Sequence, residues 1–283
     1  MKINSIIFSG DIMEKGIQID YGEYFEFKCH LAAKAGFDVI SINFHNAREE
    51  LEEKKSIIAF NINRILGETG LKCYQTHLPY TYTSAELPDE KFDFMVYDAL
   101  EISGKIGAKW CVHHPKTAKN DGFSPEKAFE YNQEPIKRYI EAADYFKTAV
   151  ALENSPTVKL EEPVYTSDYQ DLIKLCDSFG GKAGICWDFG HANMGDYDHA
   201  KAIREAGSRI KCVHIHNNFK NKDDHLLPDT GNIDWLSVMR AFGESTKNIP
   251  LVLEVKCRYE EAGLLESYAK HSLECLNFLE RCF

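Results

Sequence analysis

The stretches AGICWDFGH (183–191) and IKCVHIHNN (210–218) decide the fold. Each opens with an apolar run and closes on ionisable residues, Asp188 and His191 in the first, His214 and His216 in the second. A strand with one wet face alternates apolar and polar side chains. A near-continuous apolar run instead belongs to a strand covered on both faces, as in a parallel sheet flanked by helices. Outward from this pair, comparable runs recur at INSIIFSG (3–10), DVISINF (38–44), KCYQTHL (72–78), KWCVHHP (109–115), AVALENS (149–155) and PLVLEVK (250–256). With 183–189 and 210–216 they number eight.

Amphipathic stretches fill the intervals, among them YFEFKCHLAAKAG (24–36), LEEKKSIIAFNINRIL (51–66) and PEKAFEYNQEPIKRYIEAADYF (125–146). The chain closes on another, LLESYAKHSLECLNFLERC (264–282). Gly36, Gly70, Gly107 and Gly181 each fall between a helical stretch and the next strand, where helix C-terminal caps belong. No GxGxxG or GxxxxGK[ST] follows any run, so the sequence predicts no nucleotide cofactor and disfavours an open nucleotide-binding sheet. Eight strand–helix units without a Pro/Gly/Ser-rich linker predict an α/β chain folded as one (β/α)8 TIM barrel over residues 1–283.

Composition narrows the function. Lys+Arg 33 against Asp+Glu 44 leaves a net charge of −11, which weighs against a broad nucleic-acid-binding face and favours cations. The nine cysteines show no CxxC pair, and several lie inside apolar runs, as Cys111, Cys186 and Cys212 do. The N-terminal MKINSIIFSGD lacks the apolar core of a secretory signal, and no stretch is long enough to span a bilayer. These features predict a cytoplasmic protein with no membrane partner; a homo-oligomer is compatible with them.

In such a barrel the loops after the strands build the active site, so ionisable residues at strand ends read as functional. His77, His113, His114, Glu153, Asp188, His191, His214, His216 and Glu254 all sit near predicted strand ends, and the loop after strand seven adds Asp223, Asp224 and His225. Singly, each has a plain reading: a packed histidine, a helix cap, a solvated loop. Jointly those readings fail for Glu153, Asp188, His214 and Glu254, because each interrupts an apolar run and a buried unpaired carboxylate costs about 3–5 kcal/mol. A shared divalent cation would neutralise them. Carboxylates with imidazole suit Mn²⁺ or Zn²⁺ best, with Mg²⁺ and Co²⁺ also accommodated. Asn154 and Asn217 are expected to orient ligands or bind substrate.

ALEN (151–154), WDFGH (187–191), VHIHNN (213–218), DDHLLPDTGNIDW (223–235) and LVLEV (251–255) together resemble the xylose-isomerase-like barrel superfamily, which holds sugar isomerases, sugar epimerases and tri-zinc apurinic-site endonucleases. The resemblance implies that Glu153, Asp188, His214 and Glu254 hold the central metal. It further implies that Glu153 and Glu254 act as the acid/base pair on either side of a substrate carbon, through an enediolate. It places His77, His114 and His191 on the substrate, with Lys220 where some epimerases use an arginine. In the endonuclease branch the same His77, His114, His191, Asp223 and His225 would hold additional metal ions. The chain departs from many relatives in the second strand, where GFDVISINF carries Ser41 in place of an acid; Asn43 or His45 could take over that contact.

The expected activity is therefore a metal-dependent isomerase or epimerase of a small sugar, sugar phosphate or cyclitol, with a small carbohydrate as its partner. The alternatives are an endonuclease-IV-like phosphodiesterase on abasic DNA, an inosose-type dehydratase, and a non-catalytic sugar-binding barrel. The aromatic and acidic stretch THLPYTYTSAELPDE (76–90) suits a sugar better than a phosphate backbone.

Overall fold

A computed structural model describes residues 13–81, 89–117, 124–157, 164–257 and 262–283. Its eight strands are β1 (Lys15–Asp20), β2 (Val39–Asn43), β3 (Lys72–His77), β4 (Trp110–His113), β5 (Ala149–Glu153), β6 (Gly184–Asp188), β7 (Ile210–His214) and β8 (Leu251–Leu253). All neighbours pair in parallel, in the order β7-β6-β5-β4-β3-β2-β1-β8. The ring closes between β7 and β8 through one bridged pair, Ile215 with Leu253. There the Ile215 N–H donates to the Val252 carbonyl at 2.8 Å and the Glu254 N–H to the Ile215 carbonyl at 3.0 Å.

The helices are α1 (Phe25–Ala35), α2 (Leu51–Thr69), α3 (Asp89–Lys105), α4 (Pro125–Tyr145), α5 (Tyr169–Asp177), α6 (Phe189–Met194), α7 (His199–Ala206), α8 (Trp235–Ser245) and α9 (Ala262–Glu280). Short polar residues begin several of them: Ser124, Asp168, Asp198 and Asp234 each accept a hydrogen bond from a first-turn backbone N–H. Gly36 and Gly70 end α1 and α2 in the left-handed conformation, at φ 105° and 74°. Among the described residues no helix is long and apolar enough to cross a membrane.

The expected TIM barrel is thus present, with one correction in its parts. Seven of the predicted runs overlay β2 to β8, but the first strand of the barrel is KGIQID (15–20). The predicted strand INSIIFSG (3–10) lies outside the described residues. KGIQID escapes an apolar-run search because its inward face is polar: Gln18 reaches Glu254 inside the barrel while Ile19 packs outward in the core.

Two apolar layers hold the fold together. Outside the barrel, Ile40, Ile42, Cys111, Val150, Leu152, Ile185, Trp187 and Val213 pack against the helices in one continuous core. Inside, Val112, Ala151, Cys186 and Cys212 form a separate buried plug, with Tyr74 and Trp110 packed against it. Side chains alternate along a strand, so the next inward position lies two residues further on.

Candidate metal centre

That next inward layer is ionisable. His114, Glu153, Asp188 and His214 each follow a plug residue by two positions, and all four are buried. Glu153, fully buried at the end of β5, is the hub. Its Oε1 lies 2.8 Å from His214 Nδ1, and its Oε2 lies 3.1 Å from His114 Nε2 and 3.3 Å from His77 Nε2. His214 Nδ1 also stands 3.1 Å from Glu254 Oε2 and 3.9 Å from Asp188 Oδ2. Such convergence of ligand atoms is the spacing that several groups adopt around a common cation.

Asp188 has two roles at once. It starts α6, its Oδ1 accepting the His191 N–H at 2.7 Å, and its carboxylate also meets His216 Nε2 at 3.0 and 3.1 Å. A helix-capping role and a candidate ligand position therefore coexist at Asp188. Asn154 fastens this corner, its side chain bridging both backbone groups of Asp188 at 2.8 Å.

A second cluster adjoins the first. His191, His216, Asp223 and His225 bring one ligand atom each to within 4.8 Å of one another. Asp223 Oδ2 lies 3.0 Å from His225 Nε2 and 3.4 Å from His191 Nε2. His216 stacks on His225 with ring centroids 4.2 Å apart. Gly190 makes this possible: a Cβ there would stand 1.9 Å from His216 Cε1. The sequence reading named His216 at its strand end but gave it no role. The signal was present in HIH, since two residues spaced by two on a strand share a face.

Electrostatics follow from the crowding. Burial pushes the Glu153 carboxyl up, but the imidazoles of His114, His214 and His77 outweigh it and hold it well below the ordinary range. Glu254 is likewise held down against burial by His214, His225 and His77. His214 and His191 go the other way: burial opposes their charge, yet the surrounding carboxylates raise both well above the usual imidazole value. His114 is pushed down to about 3, chiefly by burial.

Three histidines share an anchoring pattern. The Nδ1–H of His77 donates to the Leu78 carbonyl at 2.8 Å, that of His191 to the Asn154 carbonyl at 2.8 Å, and that of His225 to the Glu254 carbonyl at 2.9 Å. Each ring thereby presents Nε2 to the carboxylates, the arrangement by which proteins fix an imidazole for metal ligation. Among the described residues, Glu153 Oε2, His214 Nε2, His216 Nδ1 and Asp223 Oδ1 are buried without a hydrogen-bond partner. The donor set, hard oxygens with imidazoles, suits a divalent cation of the Zn²⁺ or Mn²⁺ kind.

A cavity of about 390 Å³ opens beside these residues, lined by Gln18, Asn43, His77, Tyr80, Asp223 and Glu254 among others. The two glutamates are unequal: Glu254 lines the cavity, whereas Glu153 stays beneath the histidines. Gln18 Nε2 donates to Glu254 Oε1 at 2.5 Å, and Ser41 Oγ donates to Gln18 Oε1 at 3.0 Å. Ser41 therefore supports Glu254 from below. Of the two residues expected to replace it at the substrate, Asn43 lines the cavity and His45 stacks on Tyr80 at 3.9 Å. Residues 82–88 of the aromatic stretch lie outside the described residues.

Some expected site residues stand elsewhere. Lys220 is exposed, held at φ 69° with its N–H on Asn218 Oδ1, and does not line the cavity. Asn217 is spent on its own loop, donating to the Pro228 carbonyl and accepting the N–H groups of Asn218 and Ile233. His113 points outward from β4 to pack edge-on to Tyr139, and Asp224 lies 3.5 Å from Lys222. His77, His114 and His191 do line the cavity.

The family described as the xylose isomerase-like TIM barrel matches residues 29–279, and the chain belongs to it. A protein of Sinorhizobium fredii, y4fM, is 37% identical over 162 residues, which cover 56% of this chain and 51% of that protein. The chain thus spans about half the length of this relative. Among solved structures, the zinc-bound IolI protein matches with a TM-score of 0.77 at 14% identity, covering 94% of this chain and 99% of that one. D-psicose 3-epimerase with D-tagatose, from Clostridium cellulolyticum H10, matches with a TM-score of 0.76 at 16% identity over the same shares, 94% and 99%. At such identities the likeness is one of fold.

Proposed function

We propose that this chain is a metal-dependent isomerase or epimerase of a small polyhydroxylated carbonyl compound. One observation carries the reading: two glutamates flank His214, and Glu254 faces the cavity while Glu153 is buried at the hub. Glu153, Asp188, His214 and Glu254 would hold the ion, which when bound supplies Lewis-acid polarisation of the substrate carbonyl. Glu254 would take the proton from the carbon next to that carbonyl. Gln18 pins Oε1 of Glu254, while Oε2 lies 3.1 Å from His214 Nδ1. His77, His114 and His191 would grip substrate hydroxyls, and Tyr80 would supply an aromatic wall. Glu153 would return a proton on the far side, to the same carbon in epimerisation or to its neighbour in isomerisation. The sugar-epimerase fold neighbours support this reading.

The test is solvent deuterium incorporation into a ketohexose at the carbon beside the carbonyl, followed by NMR. Glu254→Gln is expected to lower exchange by about 100-fold or more, the scale of a lost acid/base group. Undiminished exchange in the variant would remove Glu254 from the chemistry. Loss of water from the product, read by mass, would turn the reading to an inosose-type dehydratase.

A second reading rests on the adjoining cluster of His191, His216, Asp223 and His225, which could hold a further ion. Several metals around one cavity suit a phosphodiesterase on abasic DNA. Nicking of an abasic duplex with Zn²⁺ would establish it, and no nicking at enzyme excess would dismiss it.

A further inference from the structure

Away from the barrel mouth, three ligand-bearing side chains converge on the outside of the protein. His271 and Cys275 are one turn apart on α9, and Asp229 approaches them from the loop between β7 and α8. His271 Nε2 lies 2.8 Å from Asp229 Oδ2 and 4.0 Å from Cys275 Sγ. The three ligand atoms fall within 4.8 Å of one another. Residues at i and i+4 share a helix face, which lets one helix supply two ligands to a single ion. An exposed carboxylate–imidazole pair is an ordinary surface contact worth about 0–1 kcal/mol. The thiol is the unusual member: Cys275 is 94% shielded, yet its sulfur faces that pair.

The loop bearing Asp229 is braced before any ligand arrives. The Pro228 carbonyl accepts from both Trp235 Nε1 at 2.8 Å and Asn217 Nδ2 at 3.0 Å. Asn217 and Leu226 exchange backbone hydrogen bonds at 2.8 and 2.9 Å. On the other side, Lys34 anchors α9 through Glu266 at 2.9 Å. Both arms of the cluster are thus held by contacts independent of it, as a site with a low ordering cost requires.

We infer that Asp229, His271 and Cys275 form a second, solvent-facing site for a thiophilic divalent cation of the Zn²⁺ class, separate from the barrel mouth. Binding releases the Cys275 thiol proton to solvent. The thiolate, the His271 Nε2 lone pair and one Asp229 oxygen then make three bonds, and water makes the fourth. The ion would tie α9 to the loop that carries Asp223 and His225, coupling the outer site to the inner one.

Titration of the whole protein with Co²⁺ tests this, because a cysteine thiolate bound to cobalt gives a near-ultraviolet charge-transfer band that oxygen and nitrogen ligands do not. The expected result is a band in the wild type that persists in Glu153→Gln and vanishes in Cys275→Ser. His271→Ala, at an exposed position where folding is not at stake, should weaken Co²⁺ binding to this site by at least about tenfold. No thiolate band in the wild type overturns the inference. So does a band that survives Cys275→Ser, which would assign it to another cysteine, or an affinity untouched by His271→Ala.

Discussion

The floor and the mouth of the barrel are built on the same strands, one inward position apart, and differ completely in chemistry. Val112, Ala151, Cys186 and Cys212 plug the floor; His114, Glu153, Asp188 and His214, two residues on in each case, form the ring above it. The distance between layers is roughly 7 Å, two strand residues of rise. Both layers are equally shielded from solvent. Burial therefore does not decide which positions tolerate charge. What decides it is company: the floor residues pack chiefly on one another, with the Cys186 thiol within 4.8 Å of ligand atoms of Glu153 and His214 above it, whereas every carboxylate in the ring faces at least one imidazole. A low-dielectric plug directly beneath the ring also strengthens each of its charge interactions.

The sharpest way to break this contrast is to carry the ring's chemistry down one layer. Ala151→Asp puts an unpaired carboxylate in the floor and should cost about 3–5 kcal/mol of stability, read by denaturant unfolding. Unchanged stability would mean that the floor is wet and that the two layers do not differ as described.

Protons and metal compete in the ring, which gives a second, intermediate effect. His214 is raised above its ordinary 6.5, so its contribution to the metal-free fold is complete below that pH and fades as pH climbs through the raised value. Glu153 and Glu254 are lowered from 4.5, so theirs is present above that pH and fades as pH falls through their depressed values. The metal-free protein is accordingly favoured by all three groups from pH 4.5 to beyond 6.5. An ion must displace the His214 proton, so metal affinity should rise about tenfold per pH unit in this range, measured by chelator competition. A flat profile would show that His214 is already neutral in the metal-free protein.

The smallest effect belongs to the neutral wall. Gln18→Leu removes the donor to Glu254 and the acceptor for Ser41, and should cost about 1 kcal/mol of stability. Glu254-dependent exchange should slow by roughly tenfold, the usual scale for an orienting partner. Exchange at the wild-type rate would show that Glu254 needs no such support.

These differences also explain what could be read in advance. β2 to β8 were legible because their apolar runs record burial on both faces, and Glu153, Asp188, His214 and Glu254 stood out by interrupting those runs. β1 was not legible, because Gln18 serves the site rather than the core and breaks the pattern. His77, His191, Asp223 and His225 were marked by resemblance; the last three gather with His216, whereas His77 joins His114 and Glu153. Lys220, marked by resemblance, and Asn217, marked by its place beside the strand-seven histidines, sit on a loop whose course is set by local hydrogen bonds. Strand positions inherit their direction from the pleat, while a loop residue does not.

The closure of the ring has a consequence of its own. β7 and β8 share a single bridged pair, and the residues flanking it, His214 and Glu254, reach across that seam to within 3.1 Å of each other. The join that completes the cylinder and the place where chemistry is expected are thus one location. Whatever settles between those two side chains acts as the keystone of the arch, so tightening its grip and locking the last strand into place amount to a single free-energy change.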